Sequence, residues 1–136
     1  RSFCSDKNGK EHTLQFAIKD WWISDFIAIY ANEPATLNVE AIKDSKVIAF
    51  NAKDLDEIHS LFPEFEAYQR KSLERHIVSL NKRIINQLQL TAQERYDLFL
   101  NQYPDIEQYV PNYHIASYLG ITQESLSRIR AERPVK

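Results

Sequence analysis

Residues 112–133 read NYHIASYLGITQESLSRIRAER. Ile115, Ala116 and Leu119 recur at the spacing of one helix face, so a short helix with an apolar inner side is expected there. Gly120 supplies the left-handed residue at which helices end. Ile121 fills the angle beyond it, and Thr122 can cap a second helix that turns Leu126 and Ile129 inward. Two short helices around a small apolar knot, with small Ala116 letting them approach, is the pattern of a helix-turn-helix. The second helix then presents Gln123, Glu124, Ser127 and Arg128 outward from its N-terminal end. Arginine can read guanine through two hydrogen bonds, glutamine can read adenine, and glutamate can accept from cytosine, so these four are the expected base-reading residues. An arbitrary helical hairpin that only packs would match part of this pattern, but not the full set.

Upstream, Thr91-Ala92-Gln93-Glu94 is a capping box, in which the hydroxyl accepts from a backbone N–H and the glutamate accepts from another. It opens a helix carrying Tyr96, Phe99, Leu100 and Tyr103, after which Pro104 and Pro111 bracket a short acidic helix. From Pro63 to about Leu90, Leu73, Ile77, Leu80, Ile84 and Leu88 recur at spacings of 4, 3, 4 and 4 and leave Arg70, Lys71, Glu74, Lys82 and Arg83 outside the stripe. A narrow seam this long is the form of a helix that pairs with another, so these five apolar residues are the expected dimer interface; the plainer alternative is a helix packed on its own domain.

The first half reads as β-structure. Asp6-Lys7-Asn8-Gly9-Lys10 lies between Arg1–Ser5 and Glu11–Ala17, and Asn-Gly is a strong hairpin signal because both residues tolerate positive φ. On the second strand Leu14, Phe16 and Ile18 are expected inward and Thr13, Gln15 and Ala17 outward. Trp21, Trp22 and Ile23 read as a buried run, and Ser24 to Ala31 as an ambiguous piece that could be a short helix. Thr36–Ala41, alternating Leu37, Val39 and Ala41, and Lys46–Phe50 are two more β-rich pieces. Asn51 can cap a short helix that sets Leu55, Ile58, Leu61 and Phe62 on one face.

Composition bounds the function. With 136 residues, 43% hydrophobic and 26% charged, the chain is one globular domain or two small modules sharing an element. Its longest apolar run, Phe26 to Ala31, is far short of the roughly 20 residues a bilayer needs, and no stretch resembles a signal peptide; no membrane contact and a cytoplasmic location are expected. Cys4 is the single cysteine and Gly9 and Gly120 the only glycines, so a disulfide, a cysteine-bound metal cluster and a glycine-rich nucleotide loop have nothing to be built from. Arg1 in place of Met, and the lack of any methionine, read as a fragment that begins inside a fold.

The net charge of −2 suggests no general affinity for polyanions. Its distribution is uneven: −5 over residues 1–68, +4 over 69–95, −3 over 96–111 and +2 over 112–136, with Arg128, Arg130, Arg133 and Lys136 crowding the end. A basic end on an acidic body can bind a polyanion locally, and a solvated charged helix would look the same. His12, His59, His76 and His114 are scattered without metal-ligand spacing, His12 beside Glu11 being the one hint of a metal; His114 is expected on the outer face of its helix. Ser125 and Ser127 have no histidine placed to activate them. No catalytic residue, metal or cofactor is expected, and the chain is read as a binder rather than an enzyme.

The segment IASYLGITQESLSRIR resembles the helix-turn-helix of the Crp/Fnr family of bacterial transcription regulators, whose motif runs Ile-Ala, Leu-Gly, Thr-x-Glu-(Ser/Thr)-x-Ser-Arg. The order of elements agrees over nearly the whole chain. The resemblance implies an α+β fold in three parts: residues 1–62 as the C-terminal part of a cyclic-nucleotide-binding-like antiparallel β-roll (of double-stranded β-helix type) whose first strands are missing, 63–90 as a dimerisation helix, and 91–136 as a helix-turn-helix DNA-binding domain. It places Gln123, Glu124 and Arg128 on base-contacting positions and Asn112, Tyr113, Thr122 and Ser125, with Arg130 beside them, on phosphate-contacting ones. The partners implied are double-stranded DNA and a second copy of the chain, with RNA polymerase as a further candidate. Two reading helices about 34 Å apart would meet a two-fold related operator.

Two departures qualify the likeness. The family's ligand cassette usually opens with Gly-Glu and closes with Arg-(Ser/Thr)-Ala, whereas the matching positions here are Ser24-Asp25 and Ala35-Thr36-Leu37. Without the arginine a buried cyclic phosphate lacks its charge-assisted partner, so cAMP is not an expected ligand and any effector is unidentified. The chain also ends soon after the second motif helix, leaving no residues for a C-terminal wing. Two other readings stand beside the regulator: a ligand-sensing β-roll that acts through a protein partner rather than DNA, and a metal-dependent β-roll enzyme.

Overall fold

Asp6 builds the first turn. Its carboxylate accepts from the backbone N–H of Asn8 at 2.8 Å and of Lys10 at 3.1 Å. Gly9 adopts φ +78°, the left-handed region where a side chain would be strained, while Asn8 does not. The turn joins β1 (Ser2–Ser5) to β2 (Glu11–Gln15), and β3 (Asn38–Val39) pairs with the other edge of β1. In this computed structural model, which describes residues 1–133, the result is a small antiparallel sheet in the order β2–β1–β3 that does not close. Lys136, counted above with the basic end, lies outside the described residues.

The remaining elements are helical: α1 (Phe26–Tyr30), α2 (Leu55–Leu61), α3 (Pro63–Gln89), α4 (Ala92–Gln102), α5 (Asn112–Leu119) and α6 (Gln123–Ala131). The chain is thus a mixed α and β protein with six α-helices among the described residues. The capping box forms as expected, with the Thr91 hydroxyl accepting from Glu94 N and the Glu94 carboxylate accepting from Thr91 N at 2.8 Å. Between Pro104 and Pro111 lies a single 3₁₀ turn, Ile106–Gln108, entered through Asp105 at φ +62°.

The core lies in the C-terminal half. Tyr96, Phe99 and Tyr103 from α4 and its end meet Ile106, Val110, Ile115, Ala116, Tyr118, Leu119, Leu126 and Ile129, and Phe16 is the one residue of the first 62 in this cluster. Phe16 sits edge-on to Phe99 and Tyr103, each with ring centroids 5.9 Å away. Burying rings of this size is the main apolar contribution available to so short a chain.

Several expectations for the first half are overturned. The faces of β2 are reversed, since Thr13 and Gln15 are buried while Leu14 and Ile18 are exposed. The polar side is covered by polar partners: Thr13 Oγ1 accepts from the buried Arg1 guanidinium at 3.5 Å, and Gln15 Nε2 donates to the Trp22 carbonyl at 2.8 Å. The strand stops at Gln15, which lets Phe16 leave the alternation and turn into the core. Trp21 is exposed, and Trp22 and Ile23 are only half-buried. Of the two further β-rich pieces only Asn38–Val39 pairs, and Val39 and Ala41 are exposed. Lys46–Phe50 forms no strand, since it finds no partner edge among the described residues, and Val47 and Ile48 face solvent. Asn51 caps a 3₁₀ turn, Ala52–Asp54, that leads into α2 rather than α2 itself, accepting from Lys53 N at 3.1 Å, and Leu61 and Phe62 beyond it are exposed.

The long helix is present, and its two sides are inverted relative to an ordinary core helix. Gln69, Ser72, His76, Ser79, Arg83 and Asn86 follow each other at spacings of 3, 4, 3, 4 and 3, and all six are covered or half-covered by the rest of the chain. Ile77, Ile84 and Leu88 are exposed, as are Val78 and Ile85 on the adjoining strip, whereas Leu73 and Leu80 are half-buried at its border. Arg83, expected on the solvated side, therefore belongs to the packed one: its guanidinium donates to the carbonyls of Leu14 at 2.5 Å and Tyr118 at 2.9 Å.

Candidate nucleic-acid interface

The pair α5 and α6 is shaped by its own sequence. α5 ends at Gly120, whose φ of +69° and ψ of +36° an L side chain would adopt only with strain. The Gly120 N–H donates to Ser117 O at 3.2 Å and the Ile121 N–H reaches back to Ala116 O at 3.0 Å, closing the carbonyls that a helix end leaves open. Thr122 then starts α6, its hydroxyl accepting from Ser125 N at 3.2 Å. Leu126 and Ile129 turn inward onto Ile115, Ala116 and Leu119, all buried.

With the inner face fixed, the outer one follows. Gln123, Glu124, Ser127 and Arg128 are all exposed on a single stretch of α6. Glu124 is held below the usual carboxylate range by a hydrogen bond from its own backbone N–H, then by the Thr122 hydroxyl, with the Arg128 charge adding to these. It is therefore ionised at neutral pH, able to accept hydrogen bonds but not to donate them. The Arg128 side chain makes no ion pair or hydrogen bond among the described residues, whereas the two other arginines at this end of the chain are committed. Arg133 pairs with Asp97 at 3.0 Å. Arg130 lies 2.5 Å from Glu107, donates to Tyr96 Oη at 2.9 Å, and donates to Asn112 Oδ1 at 2.5 Å. The Tyr96 hydroxyl also donates to Glu107.

The positions expected to touch phosphate are accordingly mixed. Asn112, Tyr113 and Thr122 are exposed, and Ser125 is half-buried beside the Thr122 hydroxyl at 3.1 Å. Arg130 braces α6 against α4 and the start of α5, so its charge is largely neutralised in place. The basic footprint on α6 reduces to Arg128.

The residues matched above to a ligand cassette, Ser24, Asp25, Ala35 and Thr36, also lie close together. Asp25 is buried, and its carboxylate accepts from Thr36 N at 2.8 Å, Leu37 N at 3.0 Å, Ala28 N at 3.2 Å and Thr36 Oγ1 at 3.4 Å. Those amides, that of Thr36 first, hold its pKa below the ordinary carboxylate value. Ser24 is half-buried beside it, and Ala35 and Thr36 are exposed. Two amides that could have received an outside anion are thus filled by the chain's own carboxylate.

Three contacts were not visible in the sequence. Ser117, a half-buried residue of α5, accepts from Thr13 N and donates to the Glu11 carbonyl at 3.2 Å, which docks α5 on the edge of the sheet. Arg83 ties α3 to both, with its guanidinium 4.1 Å over the Tyr118 ring. His114 is buried rather than on the outer face of α5, because that side of the helix is covered by the region around Arg1 and Glu40. Arg1 is itself buried between Glu11 at 2.6 Å and Glu40 at 2.7 Å.

His114 gives a pH prediction. Burial lowers its pKa from the ordinary 6.5, with the Arg1 charge adding and the Glu40 and Glu11 charges opposing. His76 is lowered too, by burial. A histidine whose folded pKa is depressed binds protons more weakly folded than unfolded, so its contribution is complete above the unfolded value and is lost as pH falls through the folded one. The urea midpoint is expected to hold steady down to about pH 7 and to fall below about 6.5. His114→Gln should flatten that fall, and an unchanged slope in the variant would show that His114 is not its source.

Among the described residues no three histidines, cysteines or carboxylates gather closely enough to hold a metal ion, and no helix is long and apolar enough to cross a membrane. No protein-family model matches the chain, and no curated protein matches it.

Proposed function

We propose that the chain is a sequence-specific, double-stranded-DNA-binding transcription regulator of the Crp/Fnr type that acts as a homodimer. On this reading α5 and α6 are a helix-turn-helix, α6 enters the major groove, and the N-terminal sheet is part of a β-roll. The observation that carries it is the outer face of α6, where four residues able to read base edges stand exposed together and Arg128 is uncommitted. The role is binding rather than catalysis. The Asp25 carboxylate on the amides of Thr36 and Leu37 supports a regulator that does not respond to cAMP.

Selection of bound duplexes from a random pool, at two salt concentrations, tests this reading. An enriched inverted repeat is expected. Arg128→Ala should cost about 1–3 kcal/mol at one base position of each half-site and leave other positions alone. Equal weakening on every sequence, with a shallower salt dependence, would make Arg128 a phosphate contact instead. The thin basic footprint gives some support to a second reading, in which the chain works through a protein partner. Retention of no duplex at either salt, with stable DNA-independent complexes, would favour it.

A further inference from the structure

Between α3, α4 and the C-terminal end of α5 lies a cleft with roughly 80 Å³ of free volume. Lys82, Arg83, Asn86 and Gln87 of α3, Arg95 of α4 and Tyr118 of α5 stand on its walls, which include no carboxylate. Three cations therefore converge without a counter-ion. Arg83 is the most deeply covered of them, and its partners are neutral: the carbonyls of Leu14 and Tyr118 and the Tyr118 ring. Arg95 donates to the Leu90 carbonyl at 2.8 Å, while its Nε is enclosed with no acceptor beside it. Lys82 makes no ion pair among the described residues. Covered charges are ordinarily paired and enclosed donors ordinarily bonded. Arg1, buried, and Arg130, half-buried, follow that rule with Glu11, Glu40 and Glu107.

We propose that this cleft binds a small oxyanion, held by Lys82, Arg83 and Arg95 with the Asn86 and Gln87 amides as further donors. Its free volume is that of about two to three waters, room enough for a phosphate ion or a short carboxylate group. The occupant would bridge α3 to α4 and α5. Gln87 lies beside the turn into α6, since a Cβ built on Gly120 would stand 3.6 Å from its Nε2. Occupancy would thereby stiffen the joint between the long helix and the α5–α6 pair. Any effect of that stiffening on DNA reading rests on the function proposed above; the anion site does not.

Calorimetric titration of the full chain with inorganic phosphate, and separately with succinate, against sodium chloride of matched ionic strength, decides the matter without DNA. Saturable binding of either anion is expected, and which one binds tells a phosphate site from a carboxylate site. Arg95→Gln and Lys82→Gln should each weaken it at least tenfold with unchanged circular dichroism, while Lys71→Gln, on the exposed side of α3, should leave it alone. Heats that do not saturate with either anion, or binding that is the same in Arg95→Gln and Lys82→Gln as in the parent chain, would overturn the site.

Discussion

Leu126→Ala is expected to cost about 2–5 kcal/mol of folding stability, among the largest losses any single truncation in this chain can give. Its side chain is fully enclosed, at 0% exposure, and it meets an equally enclosed Ile115 where α6 crosses α5. Removing three carbons there leaves a void that can close only by moving α6, and the tight Gly120 turn and the Arg130 brace resist such movement. For a domain whose total stability is on the order of 5–15 kcal/mol, the middle of that range is about a third of the whole. Urea unfolding measures it, with an unchanged slope showing that the two-state comparison holds. Leu98→Ala, on the half-exposed side of α4, is the control and should cost under about 1 kcal/mol. If the two variants lose equally little, the α5–α6 knot is not the centre of the core. The same substitution bears on the proposed function, because the anchoring of Leu126 and Ile129, with the Arg130 brace, aims the outward set on α6.

That dependence explains which parts of the molecule could be read in advance. The α5–α6 pair was legible because its determinants are local: a glycine that tolerates positive φ, a threonine that caps, and apolar residues three and four apart. The outward positions of Gln123, Glu124, Ser127 and Arg128 then follow from helix geometry alone. The capping box at Thr91 was legible for the same reason. On β2 the period of two was right and the phase was wrong, since phase depends on which face is covered. The cover comes from outside the strand, as the Arg1 guanidinium on Thr13 and the Trp22 carbonyl on Gln15. His114 and Arg83 were misplaced in the same way, each judged by its own helix when a distant element had enclosed it. For Arg83 a local clue did exist, because Gln69, Ser72, His76, Ser79, Arg83 and Asn86 form a heptad-spaced polar stripe as regular as the apolar one. Two stripes on one helix call for two different neighbours, and among the described residues only the polar stripe is covered along its length.

The second neighbour leads to the largest expected effect on assembly. On the homodimer proposed above, Ile84→Asp should convert the chain from dimer to monomer. In the single chain Ile84 is 56% exposed, flanked along the helix by Ile77 at 57% and Leu88 at 82%, with Val78 and Ile85 also open to solvent. An apolar strip of this length on a helix whose polar side is turned inward is costly to leave in water, and a second α3 offers a matching strip. A carboxylate buried at that seam without a partner costs on the order of 3 kcal/mol, and two-fold symmetry places one on each side. The combined penalty, roughly 6 kcal/mol, weakens association about ten-thousandfold. Sedimentation or light scattering across a concentration series reads this directly. Because Ile84 lies outside the buried core, circular dichroism of the variant should match the parent, which separates lost pairing from lost folding. Gln69→Ala, on the packed side, should leave the dimer intact. A parent chain that is monomeric at high concentration, or an Ile84→Asp variant that still dimerises, would require the exposed strip to meet something other than its own copy. The operator of two related half-sites would then lose its structural basis, since a single α6 presents only one reading face.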